Sequence, residues 1–161
     1  MGKIQITIAI SGVVCLLGEL LFSTPHLAID LSDSTINGAT ILSPTAGVVQ
    51  RVYPNNTDGG HMVVVTTNSI DPYNGTNIRV SFMHMTENSS TLYKDDSVVV
   101  GTRIGTVGST GNSTGPHLHL SVFKGHSDGT EDNWPRDATA LNPQRFFPQI
   151  TFTGHVSDTT P

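Results

Sequence analysis

Gly108-Ser109-Thr110-Gly111-Asn112-Ser113-Thr114-Gly115-Pro116 runs straight into His117-Leu118-His119-Leu120-Ser121-Val122-Phe123. The first half is built from turn formers: glycines that tolerate positive φ, a proline that fixes φ, and Ser, Thr and Asn side chains that bond nearby backbone. It reads as a loop. The second half is rich in apolar residues and bounded by that turn signal, and it reads as a strand. Side chains on a strand alternate between faces, so His117 and His119 project to one side with Leu118 packed into the core behind them. Two imidazoles therefore share one surface.

Outward from this stretch the same vocabulary repeats. Short runs rich in β-branched residues occupy Ala39–Leu42, Gly47–Val52, His61–Thr67, Asn77–Met85, Ser97–Val100 and Arg103–Val107. Between them lie Ser43-Pro44, the Pro54–Gly60 stretch, Asp71–Gly75 and the polar Thr86–Ser90 patch. No segment sustains a helical period, although one helical turn near Thr91–Asp95 is expected. After Phe123 the pattern weakens into a polar loop, a short Arg145-Phe146-Phe147 element and a loose tail from Gly154. The fold class is all-β.

Composition agrees. The chain has 161 residues, enough for one core and too few for two ordinary ones. Only 13% of residues are charged, whereas helical bundles draw heavily on Glu and Lys. A net charge of −5 without a basic run argues against a nucleic-acid partner. The single cysteine, Cys15, excludes an internal disulfide and a cysteine-rich metal site, so any metal must be held by His and carboxylates.

The apolar run from Ile4 to Phe22 raises the question of a signal peptide or anchor. Gln5 and Glu19 interrupt it and no small-x-small cleavage site follows. It is read as buried strands that open the domain, with a targeting segment as the alternative, and no stable membrane insertion is expected.

Three short stretches carry the candidate chemistry: His26-Leu27-Ala28-Ile29-Asp30, Phe82-Met83-His84-Met85 and His117-Leu118-His119. The spacing of four between His26 and Asp30 puts both on one face of a strand or on adjoining turns of a helix, so it permits a shared site without requiring one. Catalytic zinc takes three nitrogen or oxygen ligands and keeps a position for water, a demand that two His and one Asp meet. Further histidines then have proton transfer and oxyanion stabilisation to perform in amide hydrolysis. His84 and His117 are the candidates. A lone His in an apolar strand is more often a packed structural residue, and His61, His126 and His155, which lack such partners, are assigned to surface or packing roles.

Taken together these residues resemble the lysostaphin-like zinc endopeptidases, whose signatures are His-x-x-x-Asp, a later His-x-His strand and an isolated His between them. The Gly108–His119 string is similar to that family's glycine-rich loop and His-Leu-His strand. Leu42-Ser43-Pro44-Thr45-Ala46-Gly47-Val48-Val49 and Val99-Val100-Gly101-Thr102-Arg103-Ile104-Gly105 match its other segments in order. The likeness covers His26 to Phe123. It departs at Ala28, where Gly is usual, at Phe82-Met83-His84-Met85, which stands for Tyr-x-His-Leu, and at Ser121, where an acidic residue often follows.

The resemblance implies zinc ligands His26, Asp30 and His119, with His84 and His117 as the catalytic pair. It implies an antiparallel β-sheet folded towards a barrel with an open metal groove. The expected organisation is one domain over residues 1–161: apolar opening strands in 1–25, a catalytic core in 26–123, and a C-terminal loop and tail in 124–161. The implied activity is cleavage of peptide bonds in the stem peptide or cross-bridge of bacterial peptidoglycan, outside the cytoplasm, as a secreted, cell-wall or virion-associated phage lysin. A family member that has lost catalysis and binds the cell envelope is the alternative. An iron(II) oxygenase fits less well, because its usual His-x-Asp spacing is missing at His26. Oligomeric state is not legible.

Overall fold

A computed structural model describes residues 28–32, 34–71, 75–125, 140, 141, 143 and 146. The apolar opening segment, His26, most of the C-terminal loop and the tail lie outside the described residues, as do the expectations attached to them.

The strands are β1 (Ile29–Leu31), β2 (Thr40–Leu42), β3 (Gly47–Asn56), β4 (Gly60–Ile70), β5 (Asn77–Met85), β6 (Ser97–Val98), β7 (Arg103–Thr106), β8 (Leu118–Lys124) and β9 (Ala140–Leu141). No α-helix occurs among the described residues, so the class is all-β as the sequence predicts. The main sheet runs β1-β8-β5-β4-β3-β6, with β9 beside β8, and every pairing is antiparallel. β1 pairs the first half of β8 and β9 the second, so both lie along the edge opposite β5. The order is linear, so the described sheet stays open and no barrel closes. β2 and β7 form a second, two-stranded sheet.

Alternation explains how the layers pack. Val63 and Val65 of β4, Ile78, Val80 and Phe82 of β5, and Leu118, Leu120 and Val122 of β8 belong to one buried cluster with Ile41 of β2 and Ile104 of β7. The small sheet therefore covers that face of the large one. The intervening residues Met62, Val64, Met83 and Phe123 form a second buried cluster on the other face, with Tyr53 packed against it. Burying a side chain of the size of Leu118 or Leu120 contributes roughly 1.5–3 kcal/mol, an upper bound given a compact unfolded state. A one-residue slip of β8 would turn all of these outward, so its register is strongly specified.

Two expectations are corrected. The stretch from Pro54 does not end its strand, because β3 continues to Asn56. β6 pairs only Gly47 and Val48, and the β3–β4 ladder is irregular between Tyr53 and Asn56, so the missing proline N–H breaks no regular ladder there. The turn follows at Asp58 and Gly59, whose N–H groups both donate to Asn56 Oδ1 at 2.9 Å. The helical turn expected at Thr91–Asp95 is instead a non-helical turn: Asp95 has φ 73°, and the Tyr93 N–H donates to Asp96 Oδ2 at 2.7 Å. A short polar side chain that accepts a local backbone bond offers the chain an alternative to helix. β9 was not foreseen, since a two-residue strand carries too little periodicity to read.

Candidate metal centre

Asp30, His84, His117 and His119 converge on the face of the main sheet opposite the small one. β8 behaves as predicted: Leu118 is fully buried in the core, while the side chains of His117 and His119 remain 17% and 20% exposed, within reach of a ligand from solution. Asp30 is brought in by strand pairing, since it is the register partner of His119 in the β1–β8 ladder and directly opposed residues share a face. Its Oδ1 lies 2.9 Å from His119 Nδ1 and 3.8 Å from His117 Nε2.

His84 arrives by another route. Phe82 faces the core, so strict alternation would send His84 there too. Instead Val63 pairs with Phe82 and His61 with Met85, two steps along β4 against three along β5. The extra residue is a β-bulge, a device that re-aims side chains. His84 takes φ 57°, the left-handed region in which His is uncommon but enriched over most residues. Met85 then returns to the core. The bulged backbone is held on both sides: the His84 N–H donates to Gly59 O at 2.8 Å, and its carbonyl accepts from the Gly108 N–H at 3.1 Å. The His84 ring centroid lies 4.6 Å from that of His117 and 5.7 Å from that of His119.

The glycine-rich loop fixes two of the rings. His84 Nδ1 is 2.8 Å from Thr110 O, and His117 Nδ1 is 2.8 Å from Gly115 O. A carbonyl only accepts, so each Nδ1 carries the proton and each Nε2 is left with a lone pair. Ser113 Oγ also approaches His117 Nδ1, at 3.3 Å. Burial holds the His84 imidazolium pKa below the ordinary 6.5; the neighbouring His117 and His119 act in the same direction, while the Thr110 carbonyl and Asp30 oppose it. The shift favours the neutral imidazole of His84 over its imidazolium. The loop's part in this was not read from the sequence, because a carbonyl acceptor has no residue-type signature.

The donor set suits a metal. One ring nitrogen from each of His84, His117 and His119 lies within 4.8 Å of the others. The 2.9 Å between Asp30 Oδ1 and His119 Nδ1 is near the roughly 3.3 Å separating two ligands at ~2.0–2.1 Å around one tetrahedral zinc. Zinc, the cofactor expected from the sequence, fits nitrogen and oxygen donors of this kind. Of the remaining histidines, His61 is buried with its Nδ1 3.3 Å from Pro54 O, a packing role, and His26, His126 and His155 lie outside the described residues.

The chain has known relatives. The model of peptidase family M23 matches residues 24–133. An uncharacterized metalloprotease of Haemophilus influenzae is 30% identical over 109 residues, which cover 68% of this chain and 20% of that protein. The chain thus spans about a fifth of the length of this curated relative. The catalytic domain of the antimicrobial peptidase lysostaphin from Staphylococcus simulans is 26% identical with a TM-score of 0.58, over 75% of this chain and 77% of that one. A zinc containing peptidase from Vibrio cholerae is 26% identical with a TM-score of 0.52, over 70% of this chain and 32% of that one. A family match over residues 24–133, more than half of the chain, together with an antiparallel sheet whose described donors suit zinc, assigns this chain to the metallopeptidases of family M23.

Proposed function

We propose that this chain is a zinc-dependent endopeptidase that hydrolyses peptide bonds in bacterial peptidoglycan, acting outside the cytoplasm as a cell-wall lysin. The observation that carries the chemistry is the meeting of Asp30 with His84, His117 and His119 on one partly exposed face. The peptidoglycan substrate rests on the likeness to lysostaphin-like enzymes. Because a stem peptide or cross-bridge is extended and tethered at both ends, it needs an open approach, and an unclosed sheet with partly exposed imidazoles offers one.

In this reading Asp30 and His119, with His26, hold zinc. When bound, zinc supplies Lewis-acid polarisation of the scissile carbonyl and a water of lowered pKa. His84 and His117 are the proton-handling pair. Each presents Nε2 as an acceptor because its Nδ1–H is committed to a loop carbonyl, so one can take the proton of the attacking water and return it to the leaving nitrogen. The other can donate to the oxyanion in its doubly protonated form, with the second proton taken up from solvent before the attack.

A second division of the same residues has its own support, since His84, His117 and His119 by themselves offer three clustered ring nitrogens. In that case His84 would be a ligand and His26 would be dispensable. Zinc analysis of purified protein and of its His84→Ala and His26→Ala variants, alongside turbidity loss of peptidoglycan suspensions with and without chelator, tests both. The expected result is about one zinc per chain, chelator-sensitive clearing, zinc retained in His84→Ala and lost in His26→Ala. Zinc without clearing on any wall type would favour an inactive binding module.

A further inference from the structure

Thr110 sits where three pieces of the site meet. Its hydroxyl accepts from the His61 N–H at 2.9 Å and donates to Met85 O at 2.6 Å. His61 and Met85 are register partners on β4 and β5, on the far side of the bulge from Val63 and Phe82. The hydroxyl thus bridges the two strands beside the register shift and uses its one proton and a lone pair on backbone groups. The carbonyl of the same residue accepts from His84 Nδ1. One residue therefore ties the loop to the bulge by its side chain and the bulged imidazole to the loop by its backbone.

The surroundings leave Thr110 little freedom to shift. A Cβ on Gly60 would strike the Thr110 hydroxyl and backbone, and a Cβ on Gly111 would strike the Gly60 amide nitrogen. Both glycines have positive φ, 66° and 74°, so hairpin and loop approach at a distance only glycine allows. The Asn112 N–H donates to Asp58 O at 2.9 Å, closing the contact on its other side.

We propose that Thr110 is a positioning residue for His84, its hydroxyl anchoring the loop to the β4–β5 ladder so that its carbonyl fixes the ring's orientation and its Nδ1–H tautomer. This rests on His84 acting as a proton acceptor. Removing the hydroxyl takes away the residue's side-chain tie to the β4–β5 ladder. The close contact with Gly60 still limits how far the carbonyl moves but no longer fixes its direction, so the ring samples the other tautomer and other rotations while the ligand atoms of Asp30 and His119 are untouched.

The test is long-range proton–nitrogen NMR of the histidine rings in the zinc-loaded protein, with steady-state kinetics of Thr110→Val and Thr110→Ser. In the wild type His84 Nδ1 is expected to be protonated and Nε2 not. Thr110→Val is expected to mix the tautomers, lower kcat about 10–100-fold as loss of an orienting partner does, and leave zinc content and KM unchanged. Thr110→Ser, which keeps the hydroxyl, should restore the tautomer and most of kcat. An unprotonated Nδ1 in the wild type would overturn the proposal without any variant. So would a Thr110→Val protein with unchanged tautomer and kcat, or one whose loss appears only in zinc or KM. If His84→Ala kept full activity while the tautomer still followed Thr110, the role given to His84 would fail and the positioning role would stand.

Discussion

β8 and β5 lie side by side and both deliver histidines to one site, yet they aim them by opposite means. On β8 alternation is unbroken: Leu118, Leu120 and Val122 enter the core, so His117 and His119 have to face away from it. On β5 alternation holds through Ile78, Val80 and Phe82 and fails at His84, which reaches the site because a bulge adds a residue against β4. The first placement is secured by apolar burial across a whole strand. The second is local, held by Gly59, Gly108 and Thr110, and carries a left-handed residue, a conformation that costs of order 1–3 kcal/mol outside glycine. Side chains on β8 should therefore be robust in position, whereas His84 should be tunable.

The largest expected effect separates the proposed ligand on β8 from the proposed proton acceptor on β5. His119→Ala is expected to lose zinc and fall to background activity, while His84→Ala keeps zinc and loses about 10²–10⁴-fold in kcat. Metal analysis with kinetics on the same preparations checks this, and zinc loss in His84→Ala would reverse the division of roles. Next, Leu118→Ala opens a fully buried site and should cost about 2–5 kcal/mol in denaturant unfolding. A cost under about 1 kcal/mol would mean that core burial is not what holds β8 in register.

The smallest effect concerns the bulge. Asn tolerates positive φ as His does, so His84→Asn should lower kcat as His84→Ala does yet change stability at neutral pH by no more than about 1 kcal/mol. The pH dependence gives a second reading. Since burial first of all lowers the His84 pKa below 6.5, the unfolded chain binds this proton more readily than the folded one. The associated stability is complete above 6.5 and is lost as pH falls from there towards the lowered folded value. Metal-free wild type should thus lose more stability between about pH 7.5 and pH 5 than His84→Asn does. Equal losses, measured by urea midpoints, would mean that His84 is not the buried neutral imidazole described above.

Much of this molecule was legible beforehand because strands obey a short-range rule. The run Asn77–Met85 coincides with β5, and the pairing of His117 with His119 followed from alternation alone, which depends on nothing beyond neighbouring residues. Pro54 misled because a proline's effect depends on whether its missing N–H faces a partner, which is a property of the sheet rather than of the residue. The Thr91–Asp95 turn misled because Asp96 offers the Tyr93 N–H a local acceptor.

What the sequence determined by itself was the residue chemistry: the imidazoles and the carboxylate, the all-β class, the glycine-rich loop, and the common face of His117 and His119. What only the tertiary structure decided was their meeting. Asp30 joins His119 through the β1–β8 register, and His84 joins them through a bulge that defies its strand's own alternation. Two loop carbonyls choose the nitrogens that carry protons. The physical reason is one of range: side-chain alternation is set by adjacent peptide units, whereas register, bulges and carbonyl acceptors arise between segments distant along the chain.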